Sequence, residues 1–448
     1  MTKDTDLLYA QTPPVKLFFT AAVPGVIGMF AMSVYNIVEG IFVGQFIGGD
    51  AFAAMNLAMP FVFITFALSD MIGVGSSVPI SIAHGRQDKQ YANNIFTCSV
   101  LLIFLTAIVT GVLMFTLAPT LIRLMGAEDE VARLATLYLR INAMMNPLTT
   151  LVFAMDNYLR ICGFVRGSMI LNLFMSALQI CLLVVFVVFL DMGLAGSALA
   201  INLGMAICTL IAMIPFIKGR ALLRFTKPRF EFSVLKKTVA CGSPTFLNNI
   251  AGRLFSLVMN VLLIRMGGTL AVSAFSVLMY CSDLVQPFLY GLCDSMQPSI
   301  GFNWGAGNYK RVKSLAKCVF AATAAVSLVA VLLMLFFPLQ IASVFVNRSD
   351  TALLELSTHA LRLFSLEFFF WWFGYAAQSF YNAIEKPRQA TALTLLTAIV
   401  FPLVMVAVLW PMGLDGLWLN QAASYVPVAI VAFVMLRKTQ KNMRSRMK

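Results

Sequence analysis

The sequence predicts an all-α membrane protein: twelve transmembrane helices in two six-helix lobes related by a pseudo-two-fold axis along the membrane normal. Three observations carry that prediction. The 448-residue chain is 60% hydrophobic and only 11% charged, whereas soluble domains run about 45–50% apolar and about 25% charged. Apolar runs near the ~20 residues needed to cross a bilayer recur twelve times, and the first half of the chain repeats in the second at a constant spacing.

The expected spans lie at 17–46, 51–79, 93–119, 134–161, 168–190 and 195–216, then at 240–265, 271–298, 313–339, 356–384, 389–411 and 415–437. A polar stretch up to Lys16 precedes an apolar run too long for a cleavable signal segment, so the first span is expected to stay. Between spans six and seven, KGRALLRFTKPRFEFSVLKK is the longest and most basic connection. It marks residues 217–239 as a linker between lobes 1–216 and 240–448, the second ending in a basic tail.

Counting Lys and Arg by side orients the chain. With the N-terminus in the cytoplasm, 25 of 32 basic residues fall on the cytoplasmic side. Four (Arg123, Arg133, Arg265, Arg348) fall outside, and three (Arg140, Arg253, Arg362) fall within spans. The positive-inside rule therefore puts both termini in the cytoplasm, in the cytoplasmic membrane. The net charge of +13 reflects topology rather than a nucleic-acid partner. Eight cysteines lie scattered without a CxxC, and the two histidines, His84 and His359, stand far apart. Neither a disulfide framework, a metal centre nor a cofactor is expected.

IVEGIFVGQFIGGDAFAAM (37–55) lies without gaps over LVMNVLLIRMGGTLAVSAF (257–275), a shift of 220. The same shift sets Pro24 over Pro244, Gly85 over Gly305 and MGLAG (192–196) over MGLDG (412–416). Around the fourth and tenth spans it drifts to 222, matching YLRICGFVRG (158–167) with FYNAIEKPRQ (380–389). Each half holds an even number of spans, so both enter the membrane in the same orientation, with a central cleft expected between them. Secondary transporters are often built this way.

YNIVEGIFVGQFIGGDAFAAMNLAMP, the HGRQD and WGAGN loops after spans two and eight, and the 6+6 repeat together resemble the multidrug and toxic compound extrusion (MATE) family, nearest its MepA-like branch. The resemblance covers essentially the whole chain. It implies efflux of amphipathic, often cationic, organic compounds driven by inward flow of H+ or Na+, by a protein expected to be monomeric and surrounded by membrane lipids. Its first-span motif commonly carries Asp where this chain has Glu39. Two departures bear on the ion. The seventh-span acid of the NorM-like branch aligns near Gly252–Arg253, where no acid stands, and its tenth-span acid aligns near Trp371, one turn from Glu367. The fifth-span acid of the DinF-like branch is missing, since that span offers Asn172 and Gln179.

Charged residues inside a membrane are costly and point to function or pairing. Glu39 lies ~33 Å along span one from Leu17 at 1.5 Å per residue, with Tyr35 and Asn36 on its helical face. It reads as a carboxylate that binds H+ or Na+ and releases it inward, Tyr35 and Asn36 completing its hydrogen bonds, the alternative being an interfacial acid at a helix end. In the second half, Arg253, Asp283 and Glu367 should share one depth within ~3–5 Å. An ion pair from Arg253 to Asp283 or Glu367 is expected, leaving the other carboxylate as a second coupling candidate. Asn172, Gln179 and Asn202 are cleft-lining candidates, with helix–helix hydrogen bonding the competing reading. Asp70, Asp156 and Asp294 sit nearer the cytoplasmic ends, where contacts with loop bases account for them. Arg140 and Arg362 fall nearer the outside, and FFFWWFGY (368–375) reads chiefly as a belt or lipid face.

No GxxxxGK[ST], GxSxG or HExxH is present, so neither an ATP-driven pump nor an enzyme is expected. AHGRQDKQ does not match the short basic glycine motif of major-facilitator transporters. The competing transport reading is a flippase for a lipid-linked substrate on the same superfamily fold. One deep Arg with acids at its depth favours cationic cargo over that reading.

Overall fold

The computed structural model describes residues 8–127, 129–347 and 350–446, and every regular element among them is a helix. Arg348, counted above on the outer side, lies outside the described residues. The helices are α1 (Pro14–Phe42), α2 (Gly49–Gly85), α3 (Lys89–Leu124), α4 (Asp129–Thr149), α5 (Leu151–Ile161), α6 (Val165–Leu183) and α7 (Gly193–Ile217). After a linker follow α8 (Phe232–Asp294), α9 (Gln297–Gly305), α10 (Tyr309–Phe336), α11 (Pro338–Phe345), α12 (Thr351–Ala383), α13 (Pro387–Leu395), α14 (Phe401–Leu409) and α15 (Leu414–Arg446). Wider π-helical turns extend α1 through Val43–Ile47 and α6 through Val184–Phe189.

Among the described residues, nine helices are long and apolar enough to cross a membrane. One of them, Phe232–Gly305, runs through a break at Gly268 (φ 65°) and contains spans seven and eight. Spans four and ten complete the twelve. They are helical too, but more polar, because α4 and α5 carry Arg140, Asp156 and Arg160, and α12 carries Arg362 and Glu367.

The internal repeat is written in the backbone as well as in the side chains. Left-handed φ values recur at the spacing of the sequence repeat, at Gly48 and Gly268, at Gln87 and Gly307, and at Gly193 and Gly413. Gly163 and Glu385 form a further pair, in the stretch where the sequence register drifts. Caps repeat likewise. The Asp88 carboxylate accepts from Tyr91 N at 3.0 Å to start α3, and its repeat counterpart Asn308 accepts from Arg311 N at 3.3 Å to start α10. Each satisfies a backbone donor that a helix N-terminus otherwise leaves open.

The chain forms two compact units, and the division is not where the linker suggests. The first comprises Ile27–Phe246 with the segment ending at Thr12; the second comprises Pro13–Val26 with Leu247 onward. The crossing points, Val26/Ile27 and Phe246/Leu247, are equivalent positions of the repeat. Each unit therefore contains the opening turns of the other half's first span. In the first unit a core of Ile95, Phe96, Met155, Tyr158 and Phe216 lies between α2, α3, α5 and α7. In the second, Leu263, Phe364, Phe368 and Trp418 belong to a core drawn from α8, α12 and α15, the repeat counterpart of the first unit's other cluster around Val43, Ala54 and Ala198.

Glycines make the exchanged turns fit. A methyl group on Gly242 would lie 1.8 Å from the Met71 carbonyl oxygen, and one on Gly75 would lie 2.0 Å from that of Thr238. The start of α8 and the middle of α2 thus touch backbone to backbone, as small residues permit in membranes. Gly242→Ala is expected to cost about 3 kcal/mol, the upper part of the overpacking range. Gly252→Ala, ten residues along the same helix, meets nothing within 4 Å and should gain up to ~1 kcal/mol of helix propensity. Thermal unfolding of the two purified variants checks this, and equal melting temperatures would contradict the close approach.

The linker is held rather than slack. Arg224 N donates to Asn93 Oδ1 at 2.9 Å and Thr226 N to Thr97 Oγ1 at 3.1 Å. Asn94 meets both backbone groups of Arg229, accepting from its N–H at 2.8 Å and donating to its carbonyl at 3.0 Å.

Candidate functional site: two buried carboxyl groups

In the first unit, α1 presents Tyr35 and Glu39 inward, with Glu39 only 3% exposed. Asn36, expected to complete the hydrogen bonds of Glu39, instead lies on the neighbouring side of the helix and is exposed, because three residues along a helix turn it about 60° away from Glu39. Gly193 opens α7 in such a way that Ser197 falls in its second turn, where its hydroxyl donates to Glu39 Oε1 at 2.7 Å. The buried Tyr35 hydroxyl faces the same carboxyl without closing an ordinary hydrogen bond. Tyr138 of α4 is buried beside it. Among the described residues no base pairs with Glu39. Val43, one turn along α1 from Glu39, and Leu194 and Ala198, flanking Ser197 on α7, belong to one buried apolar cluster with Ala54 and Ala58.

Asn202, one helical turn deeper on α7 than Ala198, donates to Asn142 Oδ1 at 2.9 Å and to the Ala198 carbonyl at 2.7 Å. Asn142 in turn donates to the Tyr138 carbonyl at 2.8 Å. The polar residues nearest Glu39 therefore come from α1, α4 and α7. Gln179 does not join them: its Nε2 donates to the Ile201 carbonyl at 3.1 Å and ties α6 to α7. Asn172 belongs to a separate cluster, opposite Gly28 on α1, about three turns before Glu39. There it donates to Asp156 Oδ1 at 3.1 Å, beside Ser168, which also donates to Asp156. Arg160 Nη2 pairs with Asp156 Oδ2 at 2.6 Å, and the Tyr9 hydroxyl donates to the Arg160 carbonyl.

In the second unit, Glu367 is buried at 5% exposure, and its Oε2 has no hydrogen-bond partner. Aromatic rings surround it. Trp371, one turn along α12, lies 5.8 Å from Tyr290, 5.9 Å from Tyr375 and 6.5 Å from Tyr425 between ring centroids. Arg253 and Asp283 are both exposed side chains of this unit and electrostatic neighbours. Of the two acids expected at its depth, Asp283 is the one that faces Arg253. An Arg253→Ala, Asp283→Ala double-mutant cycle in thermal unfolding is expected to give a coupling of about 0.5–1 kcal/mol, since neither side chain is buried within the protein; additive losses would argue against the pairing. Asp294, deeper along α8, accepts from Tyr375 Oη at 3.0 Å, from Gln297 Nε2 at 2.8 Å and from Ser379 Oγ at 3.4 Å.

FFFWWFGY divides by face: Phe368 and Trp371 are buried, whereas Phe369 is 53% exposed. Arg140 stays at the surface, 5.2 Å over the Phe115 ring, beside a cavity of about 850 Å³ that Arg123 and Arg133 also line. Among the described residues no three His, Cys, Asp or Glu side chains gather as a metal site. Sequence reading missed Ser197, Tyr138 and Asn142. Asn142 carried a signal, being an amide inside a span; a serine and a tyrosine in apolar runs carry none until α4 and α7 are placed.

Helices repeated in this way define a known class of membrane transporter. Two solved MATE structures have the same fold at 23% identity. One, in complex with MaL6, gives a TM-score of 0.93 over 99% of this chain and all of its own. The other, an outward-facing multidrug resistance transporter of the MOP superfamily, gives 0.92 over 99% of each. The MatE family model matches residues 24–185 and again 244–408, one match per half, and the chain belongs to that family. The Multidrug export protein MepA of Staphylococcus aureus (strain N315) is 25% identical over 412 residues, 90% of each chain. That of Staphylococcus saprophyticus is 22% identical over 420 residues, 93% of this chain and 92% of its own. The protein is thus an integral, multi-pass membrane transporter of the MATE family.

Proposed function

We propose that the protein is a cation-coupled antiporter that exports amphipathic, cationic organic compounds by alternating access. The coupling ion, H+ or Na+, binds at Glu39. The observation that carries this reading is a carboxyl group buried in the first unit with the Ser197 hydroxyl as its donor and, among the described residues, no base. A lone buried charge is so costly that it must be compensated by a proton or a cation. That requirement turns Glu39 into a site whose occupancy can follow the gradient. Glu367, buried with an oxygen lacking a partner, is the second coupling candidate, in the other unit.

Cationic cargo is favoured because each unit buries an acid, while the exposed base Arg253 has Asp283 as its electrostatic neighbour. The similarity to MepA, a multidrug export protein, supports export of varied organic compounds. The test is reconstitution in liposomes with a fluorescent lipophilic cation, imposing a pH gradient and a sodium gradient separately. Export driven by one gradient identifies the ion. No flux under either, from folded protein, would overturn the reading in favour of a lipid-linked substrate.

A further inference from the structure

We propose that residues 218–232 form an interfacial strap that binds an anionic lipid surface. Five basic residues (Lys218, Arg220, Arg224, Lys227, Arg229) stand here against one acid, Glu231, and all five are exposed. Two phenylalanines follow the last of them, and both project into solvent: Phe230 is 67% exposed and Phe232 is 78% exposed. Large apolar groups so exposed next to bases are what an interfacial segment presents, its rings entering the headgroup layer while the bases meet lipid phosphate.

The strap is built to hold that face outward. Asn93, Asn94 and Thr97 of α3 fix its backbone at Arg224, Thr226 and Arg229. On its inner side Ala221 and Leu223 are buried in the core, and the Phe225 ring packs on Phe96 at 4.9 Å. Fixed in this way, the segment cannot turn Phe230 and Phe232 into the protein. It also runs directly from the end of α7 at Ile217 to the start of α8 at Phe232, joining two spanning helices on one side of the bilayer. A nucleic acid would satisfy the bases but leave the phenylalanines in water, so a lipid surface is the better match. The inference depends on the helices spanning the membrane and not on any transported substrate.

Site-directed nitroxide labels test it. Cys181 is exposed and Cys318 half-exposed; both are replaced by Ser, and Phe230→Cys and Phe232→Cys are labelled singly. The labelled proteins are reconstituted in phosphatidylcholine vesicles with and without phosphatidylglycerol. With phosphatidylglycerol, the ratio of oxygen to nickel-chelate accessibility is expected to rise several-fold. Lys227→Glu with Arg229→Glu should reverse the rise; neither residue's side chain joins the contacts to α3. Labels that stay in water in both lipids would overturn the proposal. So would labels equally sheltered in both lipids and indifferent to charge reversal, which is apolar insertion without anionic recognition. Shelter by an added RNA in detergent, but not by vesicles, would reassign the surface to nucleic acid. Melting temperatures matching the parent show that the variants are folded.

Discussion

Glu39→Gln is expected to reduce gradient-driven export to the rate of protein-free liposomes while leaving the protein folded. Glutamine has nearly the same volume and keeps an oxygen to accept from Ser197, whose hydroxyl now donates to Oε1 at 2.7 Å. Only the ability to exchange a proton or hold a cation is lost. Because the site buries Glu39 without a base, removing the charge relieves the membrane interior of a desolvated ion rather than orphaning a partner. Melting should therefore stay within a few degrees of the parent or rise slightly, and substrate binding without a gradient should survive. Ser197→Ala is the graded companion: it removes a neutral donor, worth ~0.5–1.5 kcal/mol, and should weaken coupling without abolishing it. Unimpaired export by Glu39→Gln would exclude Glu39 as the coupling group.

Arg160→Met is expected to be the most destabilising single change, at about 3–5 kcal/mol, the cost of stripping one partner from a buried ion pair. Asp156 and Arg160 are 8% and 3% exposed, on successive turns of α5. Without the guanidinium, the carboxylate keeps only the Ser168 hydroxyl and the Asn172 amide. Ser168 itself loses the N–H that it receives from Arg160 Nε at 3.0 Å. Adding Asp156→Asn should recover much of the loss, since no unpaired charge then remains. Thermal unfolding of the two single variants and the double variant decides it, and strictly additive losses would show that the two side chains do not act as a pair.

The fold was largely legible because its determinants are one-dimensional. Span length follows from bilayer thickness, and a repeat needs only a constant shift to be seen. The left-handed backbone at Gly48 and Gly268 falls inside the very stretches that align, 37–55 and 257–275. The site was legible only as far as charge goes. Glu39 and Glu367 stand out as acids in apolar runs, but which polar neighbours they meet depends on helix rotation, and periodicity in uniformly apolar spans leaves rotation open. Asn172 and Gln179 are side-chain amides within spans, as Asn202 is, yet one serves Asp156, another holds two helices together, and the third lies near Glu39. Nor could the exchange at Val26 and Phe246 be read from the sequence. It turns on Gly242 approaching Met71 and on Gly291 approaching Val26, and glycine is common enough in spans to carry no address.

That exchange also sets a timetable for biosynthesis. Gly25 packs against Ser295 in the second unit, so the opening turns of span one are synthesised long before their partner exists. At ribosomal rates of ~5–20 residues per second they wait on the order of 15–50 s in the membrane. The reciprocal turns, around Gly242, meet a finished α2 at once. Span one is thus completed only when span eight is made, and the nascent chain must carry an uncovered glycine face until then.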